Sequence, residues 1–167
     1  PEAEKARRYV HRWAKLGRSC YTVKDVDAAV ADDQIDFFTV GPSFGGLALF
    51  GRPPGLDLVR HAAAVAPPQA KGAKPWFAIG GITLTNLDQV LAAGARRVAV
   101  GRAICDADDP GAAAGSFGDR LRAAWGDEMD AFTIDAVGKE GGFRTLGVTR
   151  DDADSPGTIP VDTDPEI

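Results

Sequence analysis

Apolar residues fall into short runs and helix-spaced stripes that alternate along the chain. Ala6, Tyr9, Val10 and Trp13 recur at helical spacing, which predicts a helix over residues 2–15. Gly17–Val23 ("GRSCYTV") is a short strand-like run that ends in polar residues. Asp25 stands where a cap is wanted for a helix over Val26, Ala29 and Val30. Ile35–Pro42 ("IDFFTVGP") is rich in aromatic and β-branched residues and stops at Gly-Pro, so it predicts a strand. A glycine-rich loop follows ("SFGGLALFGRPPG"), then a helical pattern over Leu56–Ala66 that ends at Pro67-Pro68. "PWFAIGG" predicts the next strand, "TLTNLDQVLAAGA" the next helix and "RRVAVGRAI" the last strand. Asp106–Trp125 reads as a final helix because aspartates precede Pro110, although Gly115 and Gly118 lie inside it.

Strand and helix alternate four times, which predicts an α/β fold of parallel βα units with helices covering the sheet. Strands buried on both faces are apolar throughout, and "WFAIG" and "VAVG" fit that pattern. The architecture expected is TIM-barrel-like, (β/α)8 in style, with about four βα units: half a barrel. From Gly138 onward glycine, aspartate, proline and threonine dominate, so little apolar area offsets the entropy of ordering. The division expected is a βα domain over 1–126 and an acidic, poorly structured C-terminal extension over 127–167.

Composition and charge narrow the classes. A hydrophobic content of 44% suits an ordinary core. No apolar run is long enough to span a membrane, and the charged start lacks the apolar centre of a signal peptide. The expectation is a cytoplasmic protein with no membrane partner. The net charge of −5 is uneven: residues 127–167 carry 11 acidic and 3 basic side chains, whereas residues 1–126 carry 13 acidic and 16 basic. That mild positive balance is too weak for nucleic acid and suits a small anionic ligand. Cys20 and Cys105 have no metal-type spacing and read as reduced, small buried residues. His11 and His61 fall on predicted helices away from strand ends, and neither reads as a ligand or base.

The chemistry concentrates at two strand ends. In parallel βα sheets ligands sit at the carboxyl ends of strands. Gly80-Gly81 marks one such end and Gly101-Arg102 the next. Glycine lets backbone N–H groups approach an anion because no Cβ intervenes. Helix N-termini just beyond would add partial positive charge, and Arg102 adds a charge-assisted donor. Gly81, Gly101 and Arg102 are therefore the candidate phosphate ligands. The competing explanation is that the glycines serve only tight turns and helix–sheet packing. Under the phosphate reading, Gly81→Asp removes binding and leaves the fold intact.

Several segments together resemble the thiamine phosphate synthase and thiazole tautomerase family: "GRS-CYT" at Gly17–Thr22, "VGPSF" at Val40–Phe44, "KPWFAIGGIT" at Lys74–Thr83, "LAAGARRVAV" at Leu91–Val100 and "RAICDADDPGAAA" at Arg102–Ala114. The resemblance covers roughly Pro1–Trp125 and matches the C-terminal half of the family's barrel. It implies coupling of hydroxymethylpyrimidine diphosphate to thiazole phosphate with release of pyrophosphate, usually with Mg²⁺. It implies that Gly81, Gly101 and Arg102 hold the thiazole phosphate, and that Ser19, the catalytic candidate, sits on the pyrimidine diphosphate side. No metal ligands are assigned in this chain: the family's magnesium aspartates belong to the earlier strands. Serine often stands where Arg102 is, and Tyr21 stands where histidine is usual. The family's Thr-x-Thr-Lys after Gly-Pro is matched by Gly46, Ala48 and Leu49, which carry neither hydroxyls nor a cation. A half barrel has open edges and an uncovered face, so a homo-oligomer or a complementing half-barrel chain is the expected partner. The alternative function is a non-catalytic or tautomerase-like relative that binds a thiazole phosphate or a protein.

Overall fold

Four parallel strands form one sheet in the order β1-β2-β3-β4. They are β1 (Gly17–Cys20), β2 (Phe37–Val40), β3 (Trp76–Ile79) and β4 (Val98–Ala99). The helices are α1 (Glu2–Arg7), α2 (Val23–Ala31), α3 (Asp57–Val65), α4 (Leu87–Ala92), α5 (Arg102–Cys105) and α6 (Pro110–Trp125). The computed structural model describes residues 2–11, 13–45 and 55–126. The chain divides into two units, Pro1–Asp130 and Ala131–Ile167, and every described residue belongs to the first. The acidic extension expected over 127–167 lies outside the described residues, as does the Gly46–Leu49 segment.

Local chemistry explains the boundaries. Thr22, not Asp25, caps α2: its side chain accepts from the Asp25 N–H at 3.1 Å. Asp25 instead accepts from the Tyr21 N–H at 3.2 Å, so the two side chains satisfy donors on both sides of the helix start. Lys74 closes the other end of α2, donating to the carbonyls of Ala29 and Asp32 at 2.7 Å each. Asp109 caps α6 by accepting from Ala112 N–H at 2.9 Å, with Pro110 in the first turn, as its sequence predicts. The first helix is shorter than its apolar spacing suggests. Arg7 donates to the carbonyls of Ala14 (2.8 Å) and Gln34 and to the Asp36 carboxylate, which turns the following segment back along the protein. Tyr9 and Trp13 are consequently exposed, at 90% and 72%, and do not join the core.

The core lies on one face of the sheet. Cys20, Phe38, Val40, Trp76 and Ala78 point beneath Val26, Ala29, Val59, Ala62, Leu87 and Val90, and all are buried. The Phe38 and Trp76 rings stack 6.2 Å apart, and the Trp76 indole donates to the Ala66 carbonyl at 2.8 Å. The opposite face holds Ser19, Thr39, Phe37, Phe77 and Ile79, which are partly or fully exposed. There the Phe37 and Phe77 rings meet edge to face at 6.1 Å. The strands thus alternate in burial, although β3 is apolar throughout as a strand covered on both faces would be. Helices cover one face only among the described residues. Phe77 and Ile79 are partly exposed on the other face.

The last strand also differs from its sequence pattern. β4 has two residues, and Arg102 begins a helical turn rather than continuing the strand. Gly101, at the N-cap of α5 with φ −104° and ψ −96°, is where the extended path ends.

Candidate functional site

Strand register brings the two glycine turns side by side. Ala78 pairs with Val98 and Ile79 with Ala99, in parallel. Gly80-Gly81 and Gly101-Arg102 therefore leave the sheet from adjacent strands at the same rim. Between them lies an open cleft of 620 Å³, lined by Gly80, Gly81, Thr83, Gly101, Arg102 and Asp106 among others. Three of the four predicted site residues, Gly81, Gly101 and Arg102, meet there.

The first turn is built from consecutive left-handed residues, Gly80 at φ +90° and Gly81 at φ +64°. Two positive φ values in succession are a backbone path that glycine follows readily and residues with a Cβ do not. Their lack of side chains is also enforced from behind. A Cβ on Gly80 would lie 2.7 Å from Pro42 Cα, and one on Gly81 would overlap the Phe44 carbonyl. The backbone from β2 seals this contact, since Ser43 N–H donates to Ile79 O at 2.8 Å and Phe44 N–H to Gly80 O at 3.0 Å. Gly81→Asp would therefore break the turn as well as any anion site, contrary to the expectation that the fold survives it. Gly101 differs, because a Cβ there meets nothing within 4 Å.

Asn86 fixes the turn from the far side. Its amide nitrogen donates to Gly81 O at 2.9 Å, and its amide oxygen accepts from Thr83 N–H at 2.8 Å. Sequence reasoning places this residue inside a helix and misses its role. The signal was an asparagine just ahead of the apolar stripe Leu87–Val90–Leu91, a position where side chains bond to backbone. Arg120 on α6 braces the same segment through the Leu84 carbonyl and the Asp88 carboxylate.

The N–H groups of Gly81, Gly101 and Arg102 have no backbone acceptor among the described residues. Their residues line a cleft whose one lining cation among the described residues is the exposed Arg102 and whose one lining carboxylate among them is Asp106. The helix-dipole contribution expected from the sequence is small: α5 is a single turn of four residues, and α4 begins six residues beyond Gly81.

Ser19 does not line the cleft. It is exposed on β1, beside Thr39, on the sheet face turned away from the helices. Two strands separate β1 from β4, a gap of about 14 Å at ordinary strand spacing. The described residues do not fit Mg²⁺. A hard dication takes about six oxygens, usually from several carboxylates, and no group of three or more Asp, Glu, His or Cys is positioned to hold a metal among the described residues.

The cysteines part company. Cys20 is buried, and burial chiefly, with a further push from Asp25 against a pull from Arg18, raises its thiol to about 11. Cys105 is exposed, contrary to the reading of both as buried residues. His61 Nε2 lies 2.7 Å from an Asp27 carboxylate oxygen, joining α3 to α2 away from the cleft. No helix among the described residues is long and apolar enough to cross a membrane.

The profile of one family, thiamine monophosphate synthase, matches residues 2–104, well over half of the chain. The chain belongs to the thiamine monophosphate synthase family. Among curated relatives, thiamine-phosphate synthase of Acidothermus cellulolyticus is 56% identical over 110 residues, which is 65% of this chain and 50% of the relative. The enzyme of the same name from Streptomyces avermitilis is 52% identical over 110 residues, 65% of this chain and 49% of the relative. The chain thus spans about half the length of these family members. A solved thiamine phosphate pyrophosphorylase from Pyrococcus furiosus superposes with a TM-score of 0.62 at 24% identity, covering 74% of this chain and 56% of that one. This likeness establishes the α/β fold with its parallel sheet.

Proposed function

We propose that this chain carries the thiazole phosphate side of a thiamine phosphate synthase, and that its sheet is half of a (β/α)8 barrel. In this reading the reaction joins hydroxymethylpyrimidine diphosphate to thiazole phosphate and releases pyrophosphate. The observation that carries it is the pair of glycine turns at one rim of β3 and β4, which line one cleft together with Arg102 and whose N–H groups have no backbone acceptor among the described residues. Backbone amides and a guanidinium hold a phosphate without needing to reorganise. The half-barrel reading is supported by the sheet face that bears Ser19, Phe37, Phe77 and Ile79, which has no helical cover among the described residues, and by the edge positions of β1 and β4 among them. A second set of strands, from a complementing chain or a second copy, would close those edges. Ser19, on that open face, would meet the pyrimidine diphosphate only in the closed assembly. Mg²⁺ would take its ligands from those other strands.

Calorimetric titration of the full chain with thiazole phosphate, then with pyrophosphate and Mg²⁺, tests the reading. Binding of the first is expected. Absence of any binding by thiazole phosphate refutes it. A second reading is favoured by Gly46, Ala48 and Leu49 in place of Thr-x-Thr-Lys: a relative that binds the thiazole phosphate and does not handle pyrophosphate. Thiamine phosphate formation by this chain with its complementing strands would exclude that alternative.

A further inference from the structure

Thr83 lines the cleft, two residues beyond the Gly80-Gly81 turn. Asn86 holds its backbone on both sides. The Thr83 N–H donates to the Asn86 side-chain oxygen at 2.8 Å, and the Thr83 carbonyl accepts from the Asn86 N–H at 3.2 Å. The Thr83 hydroxyl oxygen lies 2.8 Å from that of Thr85. A hydroxyl carries one proton to donate and can accept as well. The bond between the two hydroxyls uses one proton of the pair, and the other has no acceptor among the described residues. Thr85 is exposed and does not line the cleft, whereas Thr83 is half-buried and does. When Thr85 donates inward, the unspent proton is the one on Thr83.

We infer that Thr83 is a further phosphate ligand of this cleft: its hydroxyl donates to a phosphate oxygen while the Thr85 hydroxyl donates to Thr83. The inference rests on the reading of the cleft as a phosphate site. Thr83 touches the ligand, and Thr85, which acts through it, is a positioning residue. A hydroxyl that already accepts one hydrogen bond is polarised and donates the next more strongly. The Thr83 hydroxyl is uncharged and only half-buried, so its loss weakens binding about three- to tenfold, the net worth of one hydrogen bond. Loss of the Thr85 hydroxyl costs about twofold, since it only strengthens and directs that bond.

The test is calorimetric titration of the full chain and its variants with thiazole phosphate. Thr83→Val keeps the branched shape and both backbone bonds and removes only the hydroxyl. It is expected to weaken binding about three- to tenfold with an unchanged urea midpoint; Thr83→Ala gives the same comparison where valine lowers that midpoint. Thr83→Ser returns the hydroxyl and is expected to bind within about twofold of the unmodified chain. Thr85→Val is expected to weaken binding about twofold. That loss should vanish in the Thr83→Val background, because Thr85 acts only through Thr83. Three outcomes overturn the inference and leave the phosphate site standing: unchanged binding in Thr83→Val, a loss in Thr83→Ser as large as in Thr83→Val, or additive losses in the double variant. No binding by the unmodified chain overturns the phosphate reading itself, and this inference with it.

Discussion

Replacing Gly81 and Gly101 by the same residue should have opposite consequences, because the two turns are glycine for different reasons. Gly81→Ala forces a side chain into φ +64° and against the Phe44 carbonyl. The left-handed conformation costs about 1–2 kcal/mol for a residue with a Cβ. Relief of the overlap, which must shift backbone rather than a flexible side chain, costs about 1–3 kcal/mol. The sum of about 2–5 kcal/mol is a large share of a domain's usual margin of about 5–15 kcal/mol. It corresponds to a fall in Tm of roughly 10–25 °C for a unit of this size. Gly101→Ala, with φ −104° and open space at its Cβ, should change stability by less than about 1 kcal/mol. Urea denaturation followed by the fluorescence of buried Trp76 measures both. Equal stability of the two variants would refute the account of the Gly80-Gly81 turn as a backbone fitted against Pro42–Phe44. Gly101→Asp adds the functional half: the fold should persist while a carboxylate faces the incoming phosphate, so thiazole phosphate binding should fall at least tenfold.

Other parts of the molecule make separate claims. Asn86→Ala should weaken thiazole phosphate binding several-fold with a stability loss of about 1–2 kcal/mol, since it releases the Gly81 carbonyl and the Thr83 N–H; calorimetry and denaturation of the same sample separate the two effects. Lys74→Met should cost about 1–3 kcal/mol by stripping the carbonyls of Ala29 and Asp32 of a charged donor, read from the urea midpoint. The hydrogen bond from Arg7, aided by the Leu16 N–H, lowers the Asp36 carboxyl to about 2. A depressed folded value means that its stabilisation is complete above about pH 4 and is lost as pH falls toward 2; Asp36→Asn should flatten that stretch of the Tm–pH curve. A thiol reagent at neutral pH should modify Cys105 quickly and Cys20 only after unfolding, which mass spectrometry of the labelled peptides would show.

The alternation of apolar runs and helical stripes was enough to order the strands: Gly-Pro ends the second run, Gly-Gly the third, and Pro-Pro the helical stripe over Leu56–Ala66. Asp109 and Pro110 illustrate how much a two-residue cap can specify. The convergence of Gly81 with Gly101 was legible too, since parallel strands with short crossovers put successive carboxyl ends at one rim. What escaped depends on contacts distant in sequence. The early stop of α1 follows from Arg7 reaching Gln34 and Asp36, 27 and 29 residues away. Asn86 looks like any polar residue ahead of a helix until its amide is seen bridging Gly81 and Thr83. The choice of Thr22 over Asp25 as cap is a shift of three residues, less than one helical turn, which periodicity does not resolve.

The geometry also separates two kinds of work within one sheet. The cleft depends on β3, β4, the Pro42–Phe44 backbone behind them and Asn86, all of which lie within the described residues and support one another through hydrogen bonds of ordinary length. Its parts are in place without any cover on the opposite sheet face. Ser19 and Thr39 occupy the reverse situation. They sit in register on neighbouring strands, and the buried Thr39 hydroxyl has no hydrogen-bond partner among the described residues. Around them Phe37, Phe77 and Ile79 present apolar surface that a barrel would enclose. A rim site made of backbone amides is local, and so is complete once two strands are paired. A site on the inner wall is collective, and acquires its dielectric and its ligands only when the wall closes. Under the proposed function, binding of the phosphate monoester and chemistry on the pyrimidine should therefore be separable in this chain: the first would belong to two adjacent turns, the second to an assembly.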